Sequence, residues 1–273
     1  MNFDSLKSLR VSSPAEGVTE VQIASGKGNT MTASFWQEMA EVFNALAADK
    51  SVRGIVLTAA GPHFSYGLDL MGMGAGFMTA LNGRLSGREQ IVEKGRELQE
   101  VFNIVARCPK TVIAAVQGYC IGGGVELIAA CDMRVASADA RFSLREVRMG
   151  MVCDLGGIQR LPYVIGEGNL RELALLGEDF DAQRALAIGL VNSVQADAAA
   201  AREAALAMAV RAAANPPRVI AGIKQTLNAR TEAAVAVSLN QALQLNSSLM
   251  QSDDFKEAMM AFVEKRAARF TGN

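Results

Sequence analysis

The sequence contains a single histidine, His63, and only four cysteines, at positions 108, 120, 131 and 153. The cysteines form no C-x-x-C pair, and one histidine leaves too few ligands for the usual zinc sites. We therefore expect no metal ion. Cysteines scattered through apolar segments are typical of reduced core thiols in a cytosolic protein.

The sequence also lacks an excess of charge of one sign and any long apolar run. The 27 basic and 28 acidic residues leave a formal net charge of −1, and no basic block marks a nucleic-acid partner. No run approaches the roughly 18 apolar residues of a membrane span. The first ten residues lack the apolar region of a signal peptide. We expect a cytoplasmic protein without a membrane span.

Three common motifs are absent. The segment SGKGNT at 25–30 lacks P-loop spacing, and GYCIGGG at 118–124 is not the G-x-G-x-x-G of dinucleotide-binding folds. No G-x-S-x-G marks a serine hydrolase. Ser65 has only His63 as a nearby base, and we interpret this histidine as a residue at the edge of a loop. Nucleotide chemistry and serine hydrolysis are therefore disfavoured.

Short apolar segments alternate with helical patterns over residues 1–196. Four segments have the composition of strands: 17–25, 53–60, 111–118 and 131–137. The pattern at 34–49 is helical, and its apolar face consists of Phe35, Met39, Val42, Phe43 and Leu46. The alternation predicts an α/β fold with largely parallel strands.

Residues 197–273 have almost entirely helical patterns, and Pro216 and Pro217 separate the first two helices. We place a domain boundary near residue 197. The helices of this region have apolar stripes, which need a partner surface. Either the main domain or another subunit provides it.

The stretch GYCIGGGVEL at 118–127 places three consecutive glycines where a helix begins. Their N–H groups in a first turn have no partner within the helix, and the helix dipole adds positive charge there. Such donors stabilise a carbonyl oxygen that becomes negative, as in an enolate. Close packing of the helix on a strand explains the glycines equally well.

Three acidic residues, Glu126, Glu146 and Asp154, follow these glycines in apolar surroundings. Taken singly, Glu126 fits a glutamate that interacts with the dipole at the N-terminus of a helix. Glu146 fits a surface ion pair with Arg145 or Arg148, and Asp154 fits a helix N-cap. Together they also fit carboxylates that share a dry pocket. Such carboxylates have separated pKa values, as an acid–base pair requires.

The chain resembles the enoyl-CoA hydratase/isomerase (crotonase) superfamily in five motifs, which run in order over almost its whole length. They are GPHFSYGLDL, GYCIGGGVELIAACDMRVAS, FSLREVRMGMVCDLGGIQRLP, NPPRVIAGIK and FKEAMMAFVEKR. The resemblance implies a crotonase-like spiral of ββα units in residues 1–196 and a helical trimerisation region in 197–273. It also implies a homotrimer or a hexamer of two trimers.

The resemblance further implies an acyl-CoA thioester as substrate, without a separate cofactor. Two backbone N–H groups, those of Tyr66 and Gly123, would form the oxyanion hole. Tyr66 stands where the family usually has alanine. Ser65, Tyr66 and Gly122 would contact CoA, and Lys27 and Lys265 are candidates for its phosphates, although both also fit solvated surface charges. The loop 71–90 is expected to border the acyl pocket.

The acidic residues divide between two branches of the family. Glu126 and Glu146 match the glutamate pair of the hydratases, whereas Asp154 and its surroundings resemble the dienoyl-CoA isomerases, which usually carry aspartate at position 126. We favour a dienoyl-CoA isomerase of fatty acid metabolism. The alternatives are a 2-enoyl-CoA hydratase and a non-catalytic acyl-CoA-binding protein.

Overall fold

A computed structural model describes residues 3, 5–70, 72, 81 and 84–273. Most of the predicted loop 71–90 therefore lies outside the described residues. Its last residues belong instead to a helix that begins at Leu85. Within the described ranges, no helix is both long and apolar enough to cross a bilayer.

The main sheet has six strands in the order β1-β2-β3-β4-β6-β9. Its strands are β1 Leu9–Ala15, β2 Val18–Ile23, β3 Gly54–Ala59, β4 Thr111–Val116, β6 Met133–Ser137 and β9 Ser193–Gln195. The β1–β2 pair is antiparallel, and all other neighbours are parallel. Every residue of β3 and β4 is buried, because helices cover both faces of a parallel sheet. The predicted parallel α/β sheet is confirmed.

A smaller sheet of three strands lies beyond the end of β4. It consists of β5 Tyr119–Ile121, β7 Arg141–Ser143 and β8 Phe180–Asp181. β5 and β7 are parallel, so the chain around Gly122 lies beside the chain around Ser143. These strands are too short to be recognised from alternation in the sequence.

Helices occupy the rest of the described chain. They are α1 Ala33–Ala48, α2 Leu85–Arg107, α3 Gly123–Ala129, α4 Gly157–Arg160, α5 Pro162–Leu176, α6 Ala182–Ala187, α7 Ala198–Ala213, α8 Pro217–Ala229, α9 Glu232–Leu249 and α10 Asp253–Glu264. Two short 3-10 helices, Lys27–Asn29 and Glu146–Met149, lie beside the candidate site.

The two faces of the main sheet are covered by different helices. The predicted apolar face of α1 is buried with β3 and β4 in the larger core, which confirms that helix. On the other face, α7 contacts the sheet through alanines spaced four residues apart: Ala201, Ala205, Ala209 and Ala213. The region predicted at 197–273 therefore begins with a helix that packs on the sheet of the core, which is one of the two partner surfaces expected for it; its role in trimerisation stays a prediction.

The carboxyl ends of β3 and β4 bring two loops together. Isolated parallel bridges join Ser65 to Cys120 and Met31 to Leu68. All four cysteines are free and buried, as expected for core thiols. The region where the two loops meet contains most of the residues singled out in the sequence.

Candidate active site

A strip of chain from Phe64 to Leu68 is fixed on three sides by backbone hydrogen bonds. Ser65 donates to Tyr119 O (3.0 Å) and accepts from Ile121 N (2.9 Å). Met31 N donates to Gly67 O over 2.8 Å. The side chain of Ser65 is fully buried; it donates to Asn29 O and accepts from Gly67 N. The hydroxyl of Ser65 thus holds this loop, and the predicted contact of Ser65 with CoA stays a prediction.

The amide of Tyr66 is not available for an oxyanion. Its N–H donates to Gly28 O over 2.8 Å, so the prediction that Tyr66 supplies a donor is wrong. Two positions later, the N–H of Leu68 has no acceptor among the described residues, and neither has the N–H of Gly123. Leu68, rather than Tyr66, is therefore the candidate partner of Gly123 in an oxyanion hole.

Gly67 allows the strip to lie close to the start of α3. Its φ of +81° lies in the left-handed region that favours glycine. A Cβ on Gly67 would lie 2.8 Å from Ile121 O and 3.0 Å from Gly123 N. No larger residue fits between the strip and the start of α3.

The three glycines at 122–124 meet three different neighbours. A Cβ on Gly122 would lie 2.8 Å from Oε1 of Glu146, and one on Gly124 would lie 3.0 Å from Ser65 O. Gly123 exposes its N–H at the first position of α3. Both explanations of the glycines therefore apply: Gly124 packs closely on the strip, while Gly123 offers a donor.

Glu126 lies in the first turn of α3 and is almost completely buried. Its Oε2 accepts from the amides of Leu155 (2.9 Å) and Gly157 (2.7 Å). Burial raises its pKa well above the usual range, and the nearby carboxyls of Glu146 and Asp154 raise it further. Glu126 therefore retains its proton more strongly than an ordinary glutamate.

Glu146 begins the 3-10 helix and is also buried. It is not part of a surface ion pair, because Arg145 pairs with Asp179 instead. The thiol of Cys153 lies 3.3 Å from Glu146 Oε2. Burial raises the pKa of Glu146 to about 7.

Asp154 is half-buried in the loop before α4. Its Oδ2 accepts from Nδ2 of Asn246 over 2.7 Å, and its carbonyl accepts from Nε2 of Gln99 over 2.6 Å. It does not cap a helix, because α4 has Gly156 at its N-cap position and no side-chain cap. Burial raises the pKa of Asp154 to about 6, although Asn246 acts in the opposite direction.

The acidic residues form one cluster. The carboxylate oxygens of Glu126 and Glu146 and Sγ of Cys153 all lie within 4.8 Å of one another, and Asp154 is close enough to raise the pKa of both glutamates. Groups with raised pKa values in one dry pocket mark a functional site. The cluster can hold one proton and release another near neutral pH.

The remaining predicted contacts lie at the edge of this site or away from it. Gly122 lies against Glu146. Lys27 is exposed, and its neighbour Gly28 packs against the ring of Tyr66. Lys265 is exposed after the end of α10 in a left-handed conformation. No hydrogen bond or ion pair links either lysine side chain to the described site residues, so their contact with CoA stays a prediction.

Three residues of the site were missed in the sequence. Leu68 lies within the motif GPHFSYGLDL, two residues beyond the predicted donor. Asn246 lies in α9, far along the chain, where a lone polar residue in a helix gives no distinctive signal. Cys153 directly precedes Asp154, and this adjacency was the one available indication.

Comparisons with known proteins identify the family of the chain. Residues 14–273 match the enoyl-CoA hydratase/isomerase family. The chain is 39% identical over 268 residues to the human mitochondrial Delta(3,5)-Delta(2,4)-dienoyl-CoA isomerase, covering 96% of this chain and 81% of that protein. It is 31% identical over 255 residues to a probable enoyl-CoA hydratase of Bacillus subtilis, covering 93% and 95%.

A solved structure, that of an enoyl-CoA hydratase from Mycobacterium avium subsp. paratuberculosis, has the same fold. It superimposes with a TM-score of 0.82 at 28% identity and covers 97% of this chain and 98% of its own.

Proposed function

The chain belongs to the enoyl-CoA hydratase/isomerase family, and we propose that it converts a 3,5-dienoyl-CoA into the conjugated 2,4-dienoyl-CoA. The observation that carries this proposal is Asp154, whose carboxyl group lies next to the Glu126–Glu146 pair and is held by Asn246. A proton shift along the acyl chain needs a carboxyl group in addition to the Glu126–Glu146 pair, whereas the addition of water needs that pair alone.

The first step uses the two free amides. The thioester oxygen accepts from the N–H groups of Leu68 and Gly123, and α3 adds its dipole. When the C2–H bond breaks, its electron pair moves onto this oxygen through the C1–C2 bond. Donors placed in advance stabilise that charge, and losing one such donor costs about 2.7–4 kcal/mol of barrier.

The proton transfers are assigned to Glu146 and Asp154. Glu146 takes the proton from C2. The resulting dienolate spreads its charge over the conjugated carbons, and Asp154 returns a proton at C6. The double bonds then stand at C2 and C4, and the thioester carbonyl is restored. One carboxyl must begin ionised and the other protonated.

Glu146 and Asp154 have pKa values of about 7 and about 6, so close to neutrality the pair holds about one proton. That proton favours Glu146 by about one pKa unit, and the reactive form, with Glu146 ionised and Asp154 protonated, arises when the proton passes to Asp154. Burial raises the pKa of Glu126 strongly, which favours its neutral form. In this role Glu126 fixes the loop 155–157 through its two amide hydrogen bonds.

Hydration of a 2-enoyl-CoA is the second candidate. It is favoured by Glu126, because the family's isomerases usually carry aspartate there. In this version Glu126 and Glu146 hold a water molecule that adds across C2=C3. The two reactions share the oxyanion hole and differ in whether Asp154 takes part.

Two spectrophotometric assays separate these candidates. A 3,5-dienoyl-CoA gains the absorbance of a conjugated dienoyl thioester on isomerisation, and a 2-enoyl-CoA loses absorbance on hydration. We expect the first signal, and we expect Asp154→Asn to lower it by about 10²–10⁴-fold. Hydration that survives in Asp154→Asn, together with no dienoyl product, would show that the hydratase is correct. If neither substrate reacts while CoA esters still bind, the chain is a binding protein.

A homotrimer is the proposed assembly, either alone or paired into a hexamer. On α8, Val219, Ile223 and Leu227 are 55%, 51% and 52% exposed and share one helical face at intervals of four residues. An exposed apolar stripe of this kind usually marks an interface. We propose that a second copy of the chain packs on this stripe.

A further inference from the structure

Cys153 differs from the other cysteines in what its thiol faces. All four are buried. Cys131 is directed at a backbone carbonyl of its own segment, and Cys108 and Cys120 lie in the main apolar core. The Sγ of Cys153 lies 3.3 Å from Oε2 of Glu146, the carboxylate assigned to proton removal.

The thiol is the donor in this contact. Burial raises the pKa of Cys153 well above its usual range, and the negative charge of Glu146 raises it further. The sulfur therefore keeps its proton at any pH at which the enzyme works. A donor to a carboxylate favours the ionised form of that carboxylate, which is the form a base requires.

The contact also fixes the orientation of Glu146. Oε2 is held by the thiol, and Oε1 lies against Gly122, where a Cβ would come within 2.8 Å. The carboxylate is therefore held between the loop before α4 and the chain that leads into α3. A side chain held from both sides presents one oxygen in one direction.

No cation offsets the charge of Glu146 among the described residues. The acids facing it are Glu126 from α3 and Asp154 from the loop. Charged side chains on its own 3-10 helix and on α5 and α10, which pack against that helix, have other partners: Arg145 with Asp179, Glu167 with Arg171, Glu172 with Arg184, Asp253 with Lys256, Glu257 with Arg266, and Asp254 with the amides of Thr271 and Gly272. Arg148 is exposed and lies against Gly177. The thiol is thus one of the few groups that favour an ionised Glu146.

We propose that Cys153 is a positioning residue for proton removal, because its thiol donates to Oε2 of Glu146 and holds that carboxylate ionised and in one orientation. Asn246 donates to Oδ2 of Asp154 and favours the ionised form of that carboxyl. The thiol acts in the opposite direction on the pair, because it favours an ionised Glu146 and so raises the share of molecules in which Asp154 holds the proton. The inference rests on the proposed isomerisation only for its kinetic readout.

The test compares Cys153→Ala, which removes the donor, with Cys153→Ser, which keeps one. Cys131→Ala is the matched control, since Cys131 is an equally buried cysteine whose thiol faces a carbonyl. Infrared difference spectra over a pH titration follow the carboxyl groups directly, and the band lost in Glu146→Gln identifies Glu146. This readout needs no turnover.

We expect Cys153→Ala to move the Glu146 titration upward by about 0.5–1 pH unit, the equivalent of one hydrogen bond. The acid limb of kcat/KM for the dienoyl-CoA should move with it, because that limb reports the free enzyme. The rate below the limb should fall about three- to tenfold, while the plateau at high pH stays close to that of the native protein. Cys153→Ser should titrate at or below the native value, and Cys131→Ala should match it.

An unchanged Glu146 titration in Cys153→Ala would overturn the inference. So would a loss of rate that is equal at all pH values and persists in Cys153→Ser, since that pattern belongs to packing alone. If the native protein turns over no dienoyl-CoA, the proposed reaction fails, but the infrared titration still decides the role of the thiol.

Discussion

Asn246, in the ninth helix, donates from Nδ2 to Oδ2 of Asp154 over 2.7 Å and thereby joins the C-terminal helices to the candidate site. The same amide donates to Val152 O (2.8 Å) and accepts from Val152 N (2.9 Å). Its side chain is fully buried, and both of its polar atoms are in use. The loop that carries Asp154 is therefore held by a residue from the region predicted to serve oligomerisation.

Asn246→Ala should lower both stability and activity. The change leaves the backbone groups of Val152 without partners, which costs about 1–3 kcal/mol for each buried group. It also removes a donor that lowers the pKa of Asp154, so that pKa should rise above its present value of about 6. Urea denaturation and the pH profile of kcat measure the two effects.

Asn240→Ala is the control for that change, because Asn240 lies on the same helix and is exposed, and among the described residues its side chain bonds to Arg96 alone, at 3.3 Å. It should leave both measurements unchanged. A loss of stability in Asn246→Ala without any change in the pH profile would mean that Asn246 supports the loop but does not influence Asp154.

Gly67→Ala should abolish turnover. A Cβ at this position meets Ile121 O at 2.8 Å and Gly123 N at 3.0 Å, so the strip and α3 must separate and the two free amides no longer converge. Loss of one oxyanion donor costs about 10²–10³-fold in kcat, and we expect at least that loss. Steady-state kinetics with the dienoyl-CoA measure it.

Gly61→Ala separates backbone strain from this clash. Gly61 also has a positive φ, +76°, but a Cβ there meets nothing within 4 Å. It should lose some stability and keep its kcat. Equal loss of kcat in the two variants would show that backbone strain, rather than the oxyanion hole, explains the effect at Gly67.

The comparison of Tyr66 with Leu68 shows where sequence reasoning reached its limit. The motif placed the donor in the correct strip, but which amide points outward depends on the φ of Gly67, and a sequence does not contain that angle. Glu126, Glu146 and Asp154 were found because acids among apolar residues are conspicuous. Asn246 was not, since its partners lie more than ninety residues away.

The fold was predictable where periodicity is long and strong. The buried face of α1 matched the spacing of its apolar residues. The short strands β5, β7 and β8 have two or three residues each, too few to show a period. The partner surface of α7 could not be predicted, because an alanine-rich helix gives no sign of which surface it covers; in the structure it packs on the main sheet.

Stability should fall as pH rises, because the site contains buried acids. Glu146 has a folded pKa of about 7, against roughly 4.3 for an unfolded glutamate. Its neutral form therefore contributes stability that is fully present below about pH 4.3 and is lost as pH rises through 7, by up to about 4 kcal/mol. Glu146→Gln should be more stable than the native protein at about pH 8 and not at about pH 4.5.

Urea denaturation at the two pH values and one protein concentration checks this expectation. Glu97→Gln is the control, since Glu97 is exposed and its one ion pair within the described ranges is with Lys94, and surface pairs contribute about 0–1 kcal/mol. If the Glu146→Gln protein is no more stable than the native one at the higher pH, the folded protein does not disfavour the ionised form of Glu146.

Ile223→Asp should break the proposed assembly. Ile223 is the middle residue of the exposed stripe on α8 and is 51% exposed, so a charge there costs little in a monomer and much in an interface that buries it.

Gln225→Asp is the control, because it adds the same charge to the same helix at another exposed position that lies away from the stripe. Size-exclusion chromatography with light scattering should show a trimer or hexamer for the native protein and for Gln225→Asp, and a smaller species for Ile223→Asp. A native monomer, or an Ile223→Asp protein whose assembly has the same mass as the native one, would exclude this stripe as the interface. The exposed apolar residues of α8 would then need a different explanation.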